Sequence, residues 1–219
     1  MTQKEIFLAG EGDAWFARNR QALSQREFGP ADPVIAALIG MAGTFDNGSA
    51  KPRLLEVGCG GGQRLEWMNA NLGFDCYGVE PSEAAVQQAV GLGVQAVRGT
   101  AELLPFESSS FDVVVFGFCL YLCDPEDLFK IAAEADRVLK KKSWLIIHDF
   151  FNPEYNVRNY HHREGVFSRK MDYRTMFDWH PHYTCMSHQV GHHGDQSFTD
   201  DRAEWVAVSV LRKAPRVDG

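Results

Sequence analysis

Between residues 53 and 149 short apolar runs alternate with segments of helical period, and the first run ends in a cluster of glycines. The run Arg53–Val57 (RLLEV) stops at Gly58, and a helix is expected over Gln63–Leu72. A second strand is expected at Cys76–Val79, a second helix at Ser82–Val90 and a third strand at Val94–Val97. Phe111–Phe116 (FDVVVF) is continuously apolar, as a strand buried on both faces would be. Asp124-Pro125 offers a cap followed by proline and is expected to open a helix to Leu139, before a fifth strand at Trp144–His148. Strands interleaved with helices imply a parallel sheet with helices on both faces. Two further strands, near Tyr183–Val190 and Glu204–Arg212, leave no room for a long helix between them and are expected to pair antiparallel. The predicted fold is α/β, a doubly wound, mostly parallel seven-stranded sheet with one antiparallel strand near its C-terminal edge.

An N-terminal helical cap precedes it. Trp15, Phe16, Asn19 and Leu23 recur at helical spacing. Asp32-Pro33 then caps a segment whose Val34, Ala37, Leu38 and Met41 form an apolar face. The hydrophilic turn Thr44–Pro52 divides a cap over residues 1–50 from a main domain over 51–219. Net charge is −7, and the one basic run, Lys140–Lys142, reads as a solvated turn after a helix. Neither nucleic acid nor an anionic membrane is the expected partner of such a chain. The five cysteines show no Cys-x-x-Cys spacing, and Met1–Leu8 lacks the apolar core of a signal peptide. The cytoplasm is the expected location.

The turn Glu56-Val57-Gly58-Cys59-Gly60-Gly61-Gly62 carries the first chemical information. Glycines at the carboxyl end of a buried strand let a ligand approach the backbone and the free N–H groups of the following helix. A dinucleotide fingerprint would place its last glycine where Gln63 stands. A carboxylate, Glu56, instead stands two residues before the first glycine, which suits a ligand with a positive amino group. Glu80, followed by Pro81, closes the second strand, where a carboxylate can accept from ribose hydroxyls. A third loop, Gly99-Thr100-Ala101-Glu102-Leu103-Leu104-Pro105-Phe106, follows the third strand.

These segments, in this order, resemble the class I S-adenosylmethionine-dependent methyltransferases over roughly residues 53–149, and the final strand pair resembles that family's reversed last strand. The resemblance implies a Rossmann-like methyltransferase fold with S-adenosylmethionine as cofactor. Gly58, Gly60 and Gly62 would pass close to its methionyl part, and Glu56 would lie near its amino group. Glu80 with Pro81 would hold the ribose, and Thr100, Ala101 and Glu102 would border the adenine. Thr100 stands where many relatives carry aspartate. Phe118, after the fourth strand, would cover the cofactor or belong to the core. The segment Gly12-Asp13-Ala14-Trp15-Phe16-Ala17-Arg18-Asn19 is similar to the opening of methylases associated with pseudaminic acid and other bacterial surface sugars. That similarity makes the first helices a lid, with Arg18 near the methionine carboxylate.

For the acceptor, His148, Asp149 and His161 are the candidate catalytic residues. His148 and Asp149 are neighbours in a strand, so only one readily faces the acceptor. Segment 150–183, rich in His, Tyr, Phe and Arg, is expected to be an irregular insertion walling the acceptor pocket. Its Arg158, Arg163, Arg169, Lys170 and Arg174 suit an anionic group. Seven of the eight histidines fall in 160–193, but the pairs His161-His162 and His192-His193 lack the spacing of helical metal ligands, so no metal is expected. The expected function is methyl transfer to a small molecule, such as a sugar or nucleotide-linked sugar. The rivals are an NAD-dependent oxidoreductase, a methyltransferase acting on RNA or protein, and a binding protein that keeps the cofactor site without turnover.

Overall fold

The computed structural model describes residues 1–45, 50–194 and 199–214. The middle of the turn expected at Thr44–Pro52, residues 46–49, lies outside the described residues. Strands β1 (Arg53–Val57), β2 (Asp75–Glu80), β3 (Gln95–Arg98), β4 (Phe111–Gly117), β5 (Leu139–Phe150), β8 (Tyr183–His192) and β9 (Trp205–Lys213) make one sheet in the order β3-β2-β1-β4-β5-β9-β8. The first five run parallel, and β9 pairs antiparallel with both β5 and β8. One reversed strand therefore sits between two that point the common way.

Every residue of β4 is buried, because the strand is covered on both sides. Val114 and Phe116 face one layer, with α6 (Leu128–Val138) and α7 (Thr175–Asp178). Val113 and Val115 face the other, with α3 (Pro33–Gly40), α4 (Gln63–Leu72) and α5 (Glu83–Gly91). Each such aliphatic or aromatic side chain contributes about 1.5–3 kcal/mol by leaving water. The Asp32 carboxylate accepts from Val34 N–H at 3.0 Å and Ile35 N–H at 3.2 Å, so the cap read from the sequence starts α3. Val34, Ile35 and Leu38 are fully buried against the sheet, which makes α3 a layer helix although it falls within the first fifty residues.

Ahead of it, α1 (Gln3–Ile6) leads through a wide turn at Phe7–Glu11 into α2 (Gly12–Gln25). Asp13, in the first turn of α2, accepts from Ser82 Oγ at 2.6 Å and Ala84 N–H at 3.0 Å, pinning α2 to the start of α5. Segment 150–183 is more ordered than its composition suggests. It folds a hairpin, β6 (Asn156–Asn159) with β7 (Phe167–Lys170), and the short α7. Buried Gln3 locks that hairpin down. Its amide donates to Leu122 O at 2.7 Å and Phe167 O at 3.1 Å, and it accepts from Phe167 N–H at 2.7 Å.

Two local expectations need correction. Lys140–Lys142 lies inside β5, where a register shift opposite Phe111/Val113 and a positive φ at Lys142 absorb the irregularity; Lys140 pairs with Asp112 at 2.8 Å. Asp124 does not cap the following turn with its side chain: it accepts instead from Gln3 N–H at 2.7 Å, and α6 begins only at Leu128.

Candidate active site

Strand order reverses at β1, which has β2 on one side and β4 on the other. Crossovers leave in opposite directions there and open a crevice beyond the carboxyl ends of the strands. A cleft of about 1100 Å³ occupies that place. It is walled by the glycine turn, by Trp15, Asn19 and Leu23 of α2, and by Tyr160, His161, Ser168 and Lys170 of segment 150–183.

Glu56 closes one end. It is 1% exposed, and Arg64 of α4 donates to its Oε1 through both Nε, at 3.0 Å, and Nη2. Arg64 Nη1 also reaches Asp32 at 3.4 Å, and Arg26 pairs with the same Asp32 oxygen at 3.0 Å. Alternating charges thus run Arg26–Asp32–Arg64–Glu56 into the cleft. Burial pushes the Glu56 carboxyl up against the pull of Arg64. Its Oε2 is buried, lacks a hydrogen-bond partner, and belongs to a residue lining the cleft. An uncompensated carboxylate oxygen in that position fits a cationic amino group. Gly117 makes the arrangement possible, since a Cβ there would overlap Glu56 Oε1 and lie 2.6 Å from Arg64 Nη2.

Glu80 closes β2, and its two oxygens accept from Gly60 N–H at 3.0 Å and Ser82 N–H at 3.1 Å. Burial raises its pKa to about 7. The glycines divide by task. Gly60, at φ +52°, has nothing within 4 Å of a built Cβ and lines the cleft. A Cβ on Gly58 would stand 2.5 Å from Cys119 Cβ, and one on Gly62 2.6 Å from Ala89 Cβ. Gly62 does not line the cleft; packing of α4 on α5 requires it there, and Gly61 lines the cleft instead. At the far end Pro81, Thr100, buried Ala101 and Glu102 line the cleft. Thr100 Oγ1 donates to Glu102 at 2.9 Å, and Lys4 bridges Glu102 at 3.4 Å and Asp127 at 2.8 Å.

On the acceptor side β5 separates its two candidates. His148 lines the cleft, 3% exposed. Burial, with Arg64 nearby, lowers its pKa to about 3, so the imidazole is neutral at neutral pH. Asp149 points the other way and is not among the cleft-lining residues. It accepts from Leu120 N–H and Phe150 N–H, both at 2.8 Å, holding the turn that carries Tyr121; burial raises its pKa to about 7. His161 is exposed at the rim, against Tyr160 and His162. Phe118 has φ +54°, a conformation that costs a bulky residue about 1–3 kcal/mol. Its N–H donates to His148 O at 2.8 Å, and its ring lies 4.4 Å from that of His148. Arg18 is not among the cleft-lining residues; it donates to Glu11 at 2.5 Å and to the Tyr160 hydroxyl at 3.0 Å, fastening α2 to segment 150–183.

Sequence reading missed Arg64, Arg26 and Gly117. Asp32 was legible only as a helix cap. An arginine two residues after the last glycine, in the first turn of α4, is the signal that could have pointed to a partner for Glu56. Among the described residues no group of three or more His, Cys, Asp or Glu gathers as a metal site would require, and no helix is long and apolar enough to cross a membrane.

A methyltransferase domain family matches residues 55–147, the stretch from Leu55 of β1 to Ile147 of β5. Residues 55–147 are a methyltransferase domain. The chain is 33% identical over 113 residues to the uncharacterized methyltransferase YcgJ of Bacillus subtilis, covering 48% of this chain and 43% of that protein. It is 38% identical over 87 residues to a ubiquinone biosynthesis O-methyltransferase of Roseobacter denitrificans, covering 34% of this chain and 35% of that protein. The matches thus span less than half the length of these curated relatives. Among solved structures, the Burkholderia thailandensis 1,6-didemethyltoxoflavin-N1-methyltransferase, with its acceptor and S-adenosylhomocysteine bound, shares the fold at TM-score 0.72 and 16% identity, over 96% of this chain and 88% of that one. The YcgJ structure aligns at TM-score 0.59 and 18% identity, over 83% of this chain and 99% of that one. The fold is the Rossmann-like methyltransferase fold, and S-adenosylmethionine is the cofactor that goes with this family. The cleft's own residues fit it: an unpartnered carboxylate oxygen for the amino group, a carboxylate at the end of β2 for the ribose, and open space over Gly60 between them.

Proposed function

We propose that this chain transfers the methyl group of S-adenosylmethionine to a small-molecule acceptor. The observation that carries the reading is the buried, unpartnered Oε2 of Glu56 across the glycine turn from Glu80. A pyrophosphate would meet two carboxylates in this turn, whereas a zwitterionic methionyl group finds a partner for its ammonium in Glu56 and for its carboxylate in Arg26 at the cleft wall. The acceptor side is roofed by α2 and the β6–β7 hairpin, which favours a small molecule over a polymer. The surface-sugar similarity rests on the sequence alone, since Arg18 is engaged by Glu11 and Tyr160. His148 faces the acceptor as a neutral imidazole that orients it by hydrogen bonding; with a pKa near 3 it is a poor proton acceptor.

Titration calorimetry tests the cofactor assignment. S-adenosylhomocysteine binds and NAD does not; binding of NAD alone would return the chain to the oxidoreductases. Glu80 supplies a second expectation. Glu80→Ala weakens S-adenosylhomocysteine binding by about 1.5–3 kcal/mol, the worth of hydrogen bonds to a charged group. The carboxylate is the form that accepts from both ribose hydroxyls, and its pKa in the free protein is about 7. Affinity therefore falls as pH drops below about 7, and this dependence is absent from Glu80→Gln. A wild-type affinity flat between pH 6 and pH 8 would remove Glu80 from the ribose contact.

A further inference from the structure

The acceptor end of the cleft is built from rings. Phe150 stands at its centre, with Phe118 at 5.4 Å and Tyr121 at 5.0 Å meeting it edge to face and His193 at 5.0 Å tilted against it. Phe118 also meets His193 at 5.6 Å. All four line the cleft, together with Lys170. The Lys170 ammonium sits 3.9 Å over the Phe150 ring and donates to Ala203 O. Among the described residues no carboxylate lies within 4.0 Å of it. Glu204, Asp149 and Asp201 act on it from farther away, and Arg158 opposes them. Partial burial lowers its pKa, as expected of a cation with no carboxylate in direct contact.

Building on the methyl-transfer reading, we infer that this end takes a flat aromatic acceptor with an ionised oxygen, its ring lodged against Phe118, Tyr121 and Phe150 and its negative charge held by Lys170. Ring faces and edges in this arrangement match another planar ring. A saturated sugar would instead need a polar partner for each hydroxyl. The charge follows from the cation and from the lack of a well-placed base. Asp149 is turned away and occupied by Leu120 and Phe150 N–H, and His148 is held neutral. An acceptor ionised on binding needs no base, since its proton has already passed to water. Its oxygen lone pair then forms the bond to the methyl carbon as the carbon–sulfur bond breaks and leaves its electron pair on sulfur. The negative charge of the oxygen and the positive charge of the sulfonium cancel.

The test uses 4-nitrocatechol, whose visible absorbance reports its ionisation, added to protein saturated with S-adenosylhomocysteine. The bound dye is expected to ionise about 1–3 pH units below the free dye, as a neighbouring cation dictates. Lys170→Met abolishes that lowering and weakens dye binding at least about tenfold at pH 7, whereas Lys170→Arg keeps both. S-adenosylhomocysteine affinity, unchanged in both variants, shows that they fold. Dye bound as the neutral phenol, dye binding indifferent to Lys170→Met, or no dye bound to the loaded protein would each overturn the inference. Failure of S-adenosylhomocysteine to bind the wild type is a separate result, which overturns the methyl-transfer reading itself.

Discussion

Gly60→Val eliminates S-adenosylhomocysteine binding in a protein that still folds, whereas Gly62→Val strikes the fold. Both positions have φ in the left-handed region, +52° and +80°, so both variants carry about 1–3 kcal/mol of backbone strain. They differ in what the new side chain meets. At Gly60 it enters open space in the cleft, on the proposed path of the cofactor, and affinity drops at least about 100-fold, or roughly 3 kcal/mol. At Gly62 the Cβ lies 2.6 Å from Ala89 Cβ and 3.0 Å from Ala89 Cα, so α4 and α5 must separate. Overpacking adds about 1–3 kcal/mol, which with the strain is a large part of an ordinary domain's stability. Urea unfolding and calorimetry on the two variants separate the effects. Equal destabilisation with equal loss of ligand would show that the glycines share one task.

Arg64→Met is the second large effect. It strands Glu56 as a buried carboxylate, while Arg26 keeps its pair with Asp32, and lowers stability by about 3–5 kcal/mol. The loss depends on pH. Burial already raises the Glu56 pKa with Arg64 in place, and without that cation the rise is greater. A carboxyl raised in the folded state leaves stability intact below its unfolded pKa, and stability is lost as pH rises through the folded value. The gap between Arg64→Met and wild type is therefore wider at pH 8 than at pH 5 in urea unfolding, and Glu56→Gln added to Arg64→Met narrows it. A gap that stays constant across that range would mean Glu56 is uncharged in the wild type as well.

Much of the fold was legible because its signals are local. Gln63–Leu72 is bounded by glycines that set both ends of α4, and Asp32-Pro33 is a cap whose hydrogen bonds lie within three residues. The strand at 111 announced itself by lacking any polar alternation. Segment 150–183 was not legible as a hairpin, because β6 and β7 are four residues each and neither buries a side chain fully, so no apolar period marks them. Their anchor is Gln3, more than 150 residues away. The site divides in the same way. Glu56, Gly60 and Glu80 stand at strand ends and could be read from position. Arg64 and Arg26 acquire meaning only when β1, α4 and the start of α3 are brought together, and nothing within the sequence of any one element says so. Asp149 and His148 looked equivalent on the page, and strand alternation made one a brace and the other a cleft residue.

The missing side chain at Gly117 ties three distant positions into a single heritable unit. A substituent there meets the tips of the Glu56–Arg64 pair, so even the smallest step, Gly117→Ala, requires that pair to shift. A lineage that enlarges position 117 must move or replace the arginine at 64, and must then find another partner for the buried carboxyl at 56. Positions 56, 64 and 117 are therefore expected to drift together through the relatives of this chain, although two of them carry no reactive group.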